Sequence, residues 1–225
     1  MTKIVIIDLP GANSAVEMSA TLNQLGHTVR IANYKEETLK NTELIILPGG
    51  YSFGDYLRPG ALAKDVPVMG AVKKFARDEG PVLGIGNGFQ ILCEAKILPG
   101  ILFQNPTLTF FRNDIYVKVL SNNTFITKNI EPETVLKLPL ACYYGSYYTD
   151  KRTINDMEEF QKITLKYCDE FGEIHYNDSN PTESLNAVAG IVSRHGNVVG
   201  LMPRIDRAVS ELFGNTNGLK FFESL

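Results

Sequence analysis

The first half of the chain alternates short apolar runs with amphipathic segments. Apolar runs at residues 3–8, 27–32 and 43–50, and at "VLGI", predict buried β-strands, because a strand covered on both faces is apolar throughout. Between the first two runs, Met18 and Leu22 share a helical face, and Ser14 with Glu17 has the pattern of a capping box. A second helix through "GAVKKFARDEG" precedes the fourth strand. This half therefore predicts an α/β fold with a parallel sheet flanked by helices.

The second half has a different pattern. Its strand-like segments are separated by turn signals, which favours a largely antiparallel β elaboration, and they are "FFRNDIYVKVL", "TVLKLPLACYYGSYY", "ITLKYCDE" and "NAVAGIVSRHGNVVGLM". Short helices are expected at "TINDMEEFQK", "RAVSELFG" and "LKFFESL". The chain contains no internal repeat, linker or low-complexity stretch, so residues 1–225 are expected to form one domain.

Composition excludes several classes of function. The chain has 22 basic and 25 acidic residues, so neither nucleic acid nor an anionic membrane surface is an expected partner. Cys93, Cys142 and Cys168 have no metal-ligand spacing, and their odd number fits free thiols in a reducing compartment. Neither a signal peptide nor an apolar run of the roughly 20 residues that span a membrane is present. We expect a soluble, cytoplasmic protein without a metal or cofactor.

The segment "PVLGIGNGFQILCEA" has the shape of a nucleophile elbow. The strand "VLGI" runs into a turn flanked by Gly84 and Gly88, and a helix is predicted from about Asn87. In an elbow of this type, the corner between strand and helix carries the nucleophile. Here the corner residue is Gly86, which has no side chain.

Four segments together resemble the glutaminase subunit of phosphoribosylformylglycinamidine synthase, an enzyme of purine biosynthesis. They extend over most of the chain in the same order, and they are "ELIILPGGYSFGDYLRPGALA", "VLGIGNGFQILCEAKILPG", "LFQNP" and "GNVVGLMPRIDRAV". The resemblance implies the flavodoxin-like fold of class I (triad) glutamine amidotransferases. It also implies glutamine as substrate, and a synthetase subunit as the partner that receives ammonia.

The resemblance places the catalytic triad at positions that carry other residues in this chain. The family cysteine corresponds to Gly86, its histidine to Arg204 and its glutamate to Asp206, and Ile205 replaces a proline between the last two. Glycine cannot form a thioester, and arginine has no acceptor lone pair with which to act as a general base. Asp206 lies two residues after Arg204 and could form an ion pair with it. The family mechanism of covalent catalysis is therefore not expected.

Parts of the scaffold around the triad are retained, and two interpretations of them stay open. The resemblance implies substrate-binding or oxyanion roles for Gly49, Gly50, Asn87 and Gln90. It also places Asp55, Arg58 and Cys142 in loops close to the synthetase partner. These residues either preserve a ligand pocket or serve structure alone, with turns formed by the glycines and an ion pair between Asp55 and Arg58.

Two classes of function follow from these substitutions. In the first, the chain is a pseudoenzyme that docks a synthetase-like partner and regulates it, with or without bound glutamine. In the second, it is an active glutamine amidotransferase, in which Gly86 is a laboratory substitution or the chemistry is rebuilt around Cys142. Cys93 is expected to be a buried, inert thiol, because it lies about two helical turns beyond the elbow.

Overall fold

The computed structural model describes residues 1–175 and 178–225. Within these residues the helices are α1 (Ala15–Gln24), α2 (Pro67–Arg77), α3 (Asn87–Glu94), α4 (Lys151–Glu159) and α5 (Leu219–Phe222). The first six strands are β1 (Lys3–Asp8), β2 (Thr28–Asn33), β3 (Leu44–Leu47), β4 (Val82–Ile85), β5 (Ile101–Phe103) and β6 (Phe111–Val119). The others are β7 (Val135–Cys142), β8 (Ser146–Tyr148), β9 (Ile163–Cys168), β10 (Val188–Val192) and β11 (Val198–Leu201). No helix in these ranges has both the length and the apolar character needed to cross a membrane.

One large sheet contains nine of these strands, in the order β2-β1-β3-β4-β11-β10-β9-β6-β7. In this order, every neighbouring pair from β2 to β11 is parallel, and every neighbouring pair from β11 to β7 is antiparallel. The predicted fold class is therefore confirmed: a parallel sheet from the first half continues into an antiparallel extension from the second. The last strand in sequence, β11, returns to the parallel part and lies beside β4.

The parallel strands form the centre of the hydrophobic core. Every residue of β3 and β4 is buried, as the continuous apolar runs predict, and every residue of β11 is buried as well. The residues at the carboxyl ends of these strands are in register, since Leu47 pairs with Gly84 and Ile85 with Leu201. The loops that follow the three strands therefore meet at one edge of the sheet, where ligand sites of such folds lie.

Some local predictions are wrong. Ser14 precedes α1 as expected, but its hydroxyl makes no capping hydrogen bond to the helix. The segment "RAVSELFG" forms only single 3₁₀ turns at residues 205–207 and 211–213, because Ser210 is extended and bridges to Asn215. Strand β5 lies outside the predicted elements, and it pairs with β8 in a separate two-stranded sheet.

Candidate functional site

The predicted nucleophile position lies at a sharp corner between β4 and α3. Gly86 has φ 53° and ψ −108°, a conformation that residues with a side chain rarely adopt. Its amide donates a 2.7 Å hydrogen bond to the carbonyl oxygen of Leu201, which ties the corner to the end of β11. The backbone shape of an elbow is therefore present, although the corner residue has no side chain.

Arg204 and Asp206 form a buried ion pair beside this corner. The Nε and Nη2 groups of Arg204 donate to the two carboxylate oxygens of Asp206 at 2.9 and 2.7 Å. The exposed fraction is 8% for the Arg204 side chain and 0% for Asp206. Nη2 also donates to Oδ1 of Asn13 at 3.1 Å. Bidentate geometry and burial fix the direction of the Arg204 side chain.

The Arg204 side chain occupies the space where a reacting group would lie. A Cβ atom built on Gly86 would be 3.1 Å from Cδ of Arg204, which is tighter than most real contacts of a Cβ. A Cβ atom built on Gly49 would lie 2.5 Å from Cζ of Arg204, so a side chain at position 49 would require the paired guanidinium to shift. The guanidinium group thus fills the gap between two loops that the resemblance assigned to the nucleophile and the oxyanion site.

The electrostatics of the pair favour the charged forms of both partners. Burial alone would raise the pKa of Asp206, but the charge and hydrogen bonds of Arg204 outweigh it and hold this pKa below its usual value. Burial likewise lowers the pKa of Arg204, while Asp206 more than compensates and raises it. Arg204 therefore stays protonated and cannot accept a proton from a nucleophile.

Asn87 and Gln90 use their side chains to connect two loops. Asn87 Oδ1 accepts a 3.0 Å hydrogen bond from the amide of Ser52, and its Nδ2 donates to Oε1 of Gln90 at 2.9 Å. Gln90 Nε2 in turn donates to the carbonyl oxygen of Tyr144 at 2.6 Å. Both side chains are buried, so this relay holds the loop after β3 to the loop after β7. Both the oxygen and the nitrogen of the Gln90 side-chain amide are therefore hydrogen-bonded within the protein.

The ion pair expected between Asp55 and Arg58 is absent from the structure, because Arg58 pairs with another residue. Its Nε and Nη2 groups bind the carboxylate of Glu94 on α3 at 2.6 and 2.9 Å. Asp55 Oδ1 is buried without a hydrogen-bond partner among the described residues, and burial raises the pKa of this carboxyl to about 6. The loop of residues 51–60 is tethered to α3 by Arg58.

The three cysteines are free and buried. Burial raises the pKa of the Cys142 thiol to about 12, so very little thiolate exists at neutral pH. Burial also raises the pKa of Cys93 well above its ordinary value, and the Cys93 thiol contacts the carbonyl oxygen of Pro99. This burial of Cys93 is as predicted. Within the described ranges, no group of three or more His, Cys, Asp or Glu residues could hold a metal ion.

Sequence reasoning missed the contributions of Asn13 and Glu94. The side-chain oxygen of Asn13 accepts a hydrogen bond from Nη2 of Arg204. Its backbone carbonyl oxygen accepts one from Nη2 of Arg207. Asn13 lies in the loop after β1, the neighbour of β3 in the sheet, so the parallel topology was a usable signal for it. Glu94 lies at the far end of α3, and the sequence offered no signal that Arg58 would reach it.

Comparisons with known proteins identify the family of the chain. Residues 1–220 match the family described as the CobB/CobQ-like glutamine amidotransferase domain. The phosphoribosylformylglycinamidine synthase subunit PurQ of Sulfurimonas denitrificans is 39% identical over 222 residues, which are 98% of this chain and 97% of that protein. A chain of the PurLQS structure from Thermotoga maritima has a TM-score of 0.87 and 32% identity, covering 100% of this chain and 97% of that one.

A more distant structure supports the fold alone. It is a glutamine amidotransferase of Thermotoga maritima, with a TM-score of 0.59 and 17% identity over 91% of this chain and 76% of that one. The fold and the family match thus place the chain in the class of glutamine amidotransferase domains. Within this class, the chain belongs to the family of PurQ, the glutaminase subunit of phosphoribosylformylglycinamidine synthase.

The conformation of the corner makes a prediction about stability. Replacing Gly86 by alanine is expected to lower the free energy of unfolding by about 1–2 kcal/mol, because a Cβ atom would be strained at a positive φ. The measurement is the urea midpoint with its slope. Gly70→Ala is the matched control. Gly70 lies in α2 with open space around its Cα, and alanine at this position should raise the free energy of unfolding by about 0.5–1 kcal/mol. An unchanged midpoint for Gly86→Ala would show that the corner relaxes to ordinary angles.

Proposed function

We propose that this protein is a non-catalytic member of its family, which does not hydrolyse glutamine and acts as a docking or regulatory subunit. The observation that carries the proposal is the Arg204–Asp206 ion pair, buried against Gly86 and Gly49. Under the proposal, the whole chain, residues 1–225, is one glutamine amidotransferase domain that works in the cytoplasm.

The chemistry of the corner supports the loss of hydrolysis. Amide hydrolysis through a thioester needs a thiolate and a group that moves a proton to the departing ammonia. Gly86 supplies no nucleophile, and Arg204 keeps its proton in the ion pair with Asp206. A water molecule at the corner would meet a guanidinium group that has no lone pair to activate it.

The surroundings of the corner also argue against a glutamine pocket of the family type. The face of Gly49 is covered by the guanidinium of Arg204, and the amide of Gln90 is bonded to Asn87 and Tyr144. A glutamine side chain would have to displace a buried ion pair before it reached the corner. Of the two interpretations of these residues, the structural one has the stronger support.

Chemistry rebuilt around Cys142 lacks support for a similar reason. The thiol is 3% exposed, and its raised pKa leaves it protonated at neutral pH. The side chain of Asn105, next to it, uses Nδ2 to bond the carbonyl oxygen of Cys142 and Oδ1 to bond the amide of Gly145. These contacts fix the loop and provide no proton acceptor for the sulfur.

A docking role draws support from the loop of residues 51–60. Tyr56 and Leu57 are 68% and 70% exposed, and aromatic side chains such as that of Tyr56 are enriched where proteins meet. The Arg58–Glu94 pair holds the base of the loop on α3. One of the similar structures is the PurLQS complex, so the partner proposed for this chain is the synthetase subunit of phosphoribosylformylglycinamidine synthase or a paralogue.

A glutaminase assay tests the proposal directly. Ammonia release from glutamine is expected to stay at background for the purified chain, both alone and mixed with the synthetase subunit. Co-elution of the two proteins in size-exclusion chromatography is the expected sign of docking. Ammonia release that grows with protein concentration and stops on thiol alkylation would overturn the loss of catalysis and point to Cys142.

A further inference from the structure

A groove on the surface is lined in part by the Arg204–Asp206 ion pair, and charged and aromatic side chains also line it. Its volume is about 880 Å³, within the range of about 300–1,000 Å³ usual for small-molecule sites. We call it the Arg112 groove, and the side chains that matter here are Asn13, Tyr51, Phe110, Arg112, Arg204 and Arg207.

The charges that line the Arg112 groove leave one cation without a partner. Three of the lining residues are carboxylates, and each has its own cation: the pairs are Arg204–Asp206, Arg207–Glu17 and Lys137–Asp114. Among the described residues, no carboxylate lies within 4.0 Å of the Arg112 guanidinium. Lys137 lies outside the lining, so the charges of the lining residues sum to zero. Arg112 is nevertheless the lining cation for which the described residues supply no counter-ion, and a ligand carboxylate would supply one.

Arg204 adds free hydrogen-bond donors at the floor of the groove. Its Nε and Nη2 groups bind Asp206 and Asn13, which leaves the two N–H donors of Nη1 without a partner in the described part of the chain. Nη1 is not among the buried unpartnered atoms, so it is open to the groove. Tyr51 and Arg112 line the same groove as Arg204.

One wall of the groove is aromatic. Tyr51 and Phe110 are 39% and 44% exposed, and their ring centroids lie 6.2 Å apart at an interplanar angle of 47°. Exposed aromatic rings beside unpaired donors form a surface that accepts a flat apolar body with a charged end.

We propose that the Arg112 groove binds a small aromatic monocarboxylate. Its carboxylate lies toward Arg112 and the Nη1 group of Arg204, and its ring lies against Tyr51 and Phe110. A neutral ligand of the same shape would leave Arg112 without a counter-ion. The site is separate from the corner, because Gly86 is not among the residues that line the groove.

Calorimetric titration of the full chain with sodium benzoate tests the site, with benzamide as the uncharged analogue of the same shape. Benzoate is expected to bind saturably with a Kd of about 1 mM or below, and benzamide about tenfold more weakly. The affinity for benzoate should also fall as salt is added, since an exposed guanidinium is screened.

Two variants locate the binding. Arg112→Gln is expected to weaken benzoate about fivefold, the effect of one exposed ion pair. Arg194→Gln, in the turn between β10 and β11 at the other end of β11 from Arg204, should leave the affinity unchanged. Equal affinity for benzamide, no effect of Arg112→Gln, or no saturation at about 20 mM would each overturn the proposal. None of these outcomes bears on the glutaminase assay, so the two proposals fail separately.

Discussion

Gly86→Cys alone is expected to leave glutamine hydrolysis at background, whereas Gly86→Cys/Arg204→His/Asp206→Glu is expected to restore it. The single variant places a thiol beside a guanidinium that neither accepts a proton nor returns one to the departing ammonia. The triple variant supplies a histidine held by a carboxylate, and a positioned general base contributes about 10²–10⁴-fold. Ammonia release should therefore be at least about 100-fold faster for the triple variant than for the single one.

The control for this repair is Gly86→Ala/Arg204→His/Asp206→Glu, which has the base but no thiol. It should be inactive, and alkylation should abolish the activity of the thiol-bearing triple variant. Circular dichroism and the urea midpoint of each variant show whether the fold is intact, so that inactivity is not confused with unfolding. Hydrolysis by Gly86→Cys alone at a rate close to the triple variant would contradict the role assigned to position 204.

Asp206→Asn is expected to lower the free energy of unfolding by about 3–5 kcal/mol at pH 7, because it leaves a buried guanidinium without its counter-charge. The double variant Arg204→Met/Asp206→Leu is the matched control. Replacing both charges by apolar side chains of similar volume is expected to change stability by less than about 1 kcal/mol or to increase it. Urea titrations of the three proteins measure the differences.

The penalty of Asp206→Asn depends on pH in a defined direction. The pKa of Asp206 in the folded protein is below the value of about 3.9 that an unfolded chain has. A carboxyl with a lowered pKa contributes stability that is fully present above about pH 4–5 and is lost as the pH falls through the folded value. The difference between wild type and Asp206→Asn should thus be constant from pH 8 to about 5 and shrink below about pH 4. A difference below about 1 kcal/mol at pH 7 would mean that the pair does not anchor Arg204.

The fold was predictable because it follows from periodicity and local turn chemistry. Fully apolar runs specified β3 and β4 as buried strands, and Gly84, Gly86 and Gly88 marked the corner between β4 and α3. The segment of β11 was expected only to be strand-like within the antiparallel half, and it lies in the parallel part of the sheet. The pairing of Arg204 with Asp206 followed from their separation of two residues and is confirmed. In each case the signal lies within a few residues of the feature that it predicts.

Contacts between distant loops were not predictable in the same way. Arg58 could have paired with Asp55, three residues away, but the loop turns its guanidinium toward Glu94 on α3. Asn13 meets Arg204 across 191 residues of sequence. The parallel topology predicts that the loops after β1 and β11 lie at one edge of the sheet, but the contact between these two side chains depends on how the loops pack. The position of the Arg204 guanidinium over Gly49 was missed for the same reason, because tertiary packing sets it. Residue identity alone gave the charge of this side chain and not its direction.

The packing of Arg204 between Gly49 and Gly86 also has an evolutionary consequence. Under the proposed function, a lineage that carries this arrangement has no favourable single substitution toward the family triad: cysteine at 86 contacts Arg204, and histidine at 204 removes the bidentate partner of a buried Asp206. Glutamate at 206 alone lengthens a side chain that already has no exposed surface. Each first step lowers stability without restoring chemistry, so selection removes it before the next can occur. Under the proposed function, the three substitutions would therefore have to be reversed together.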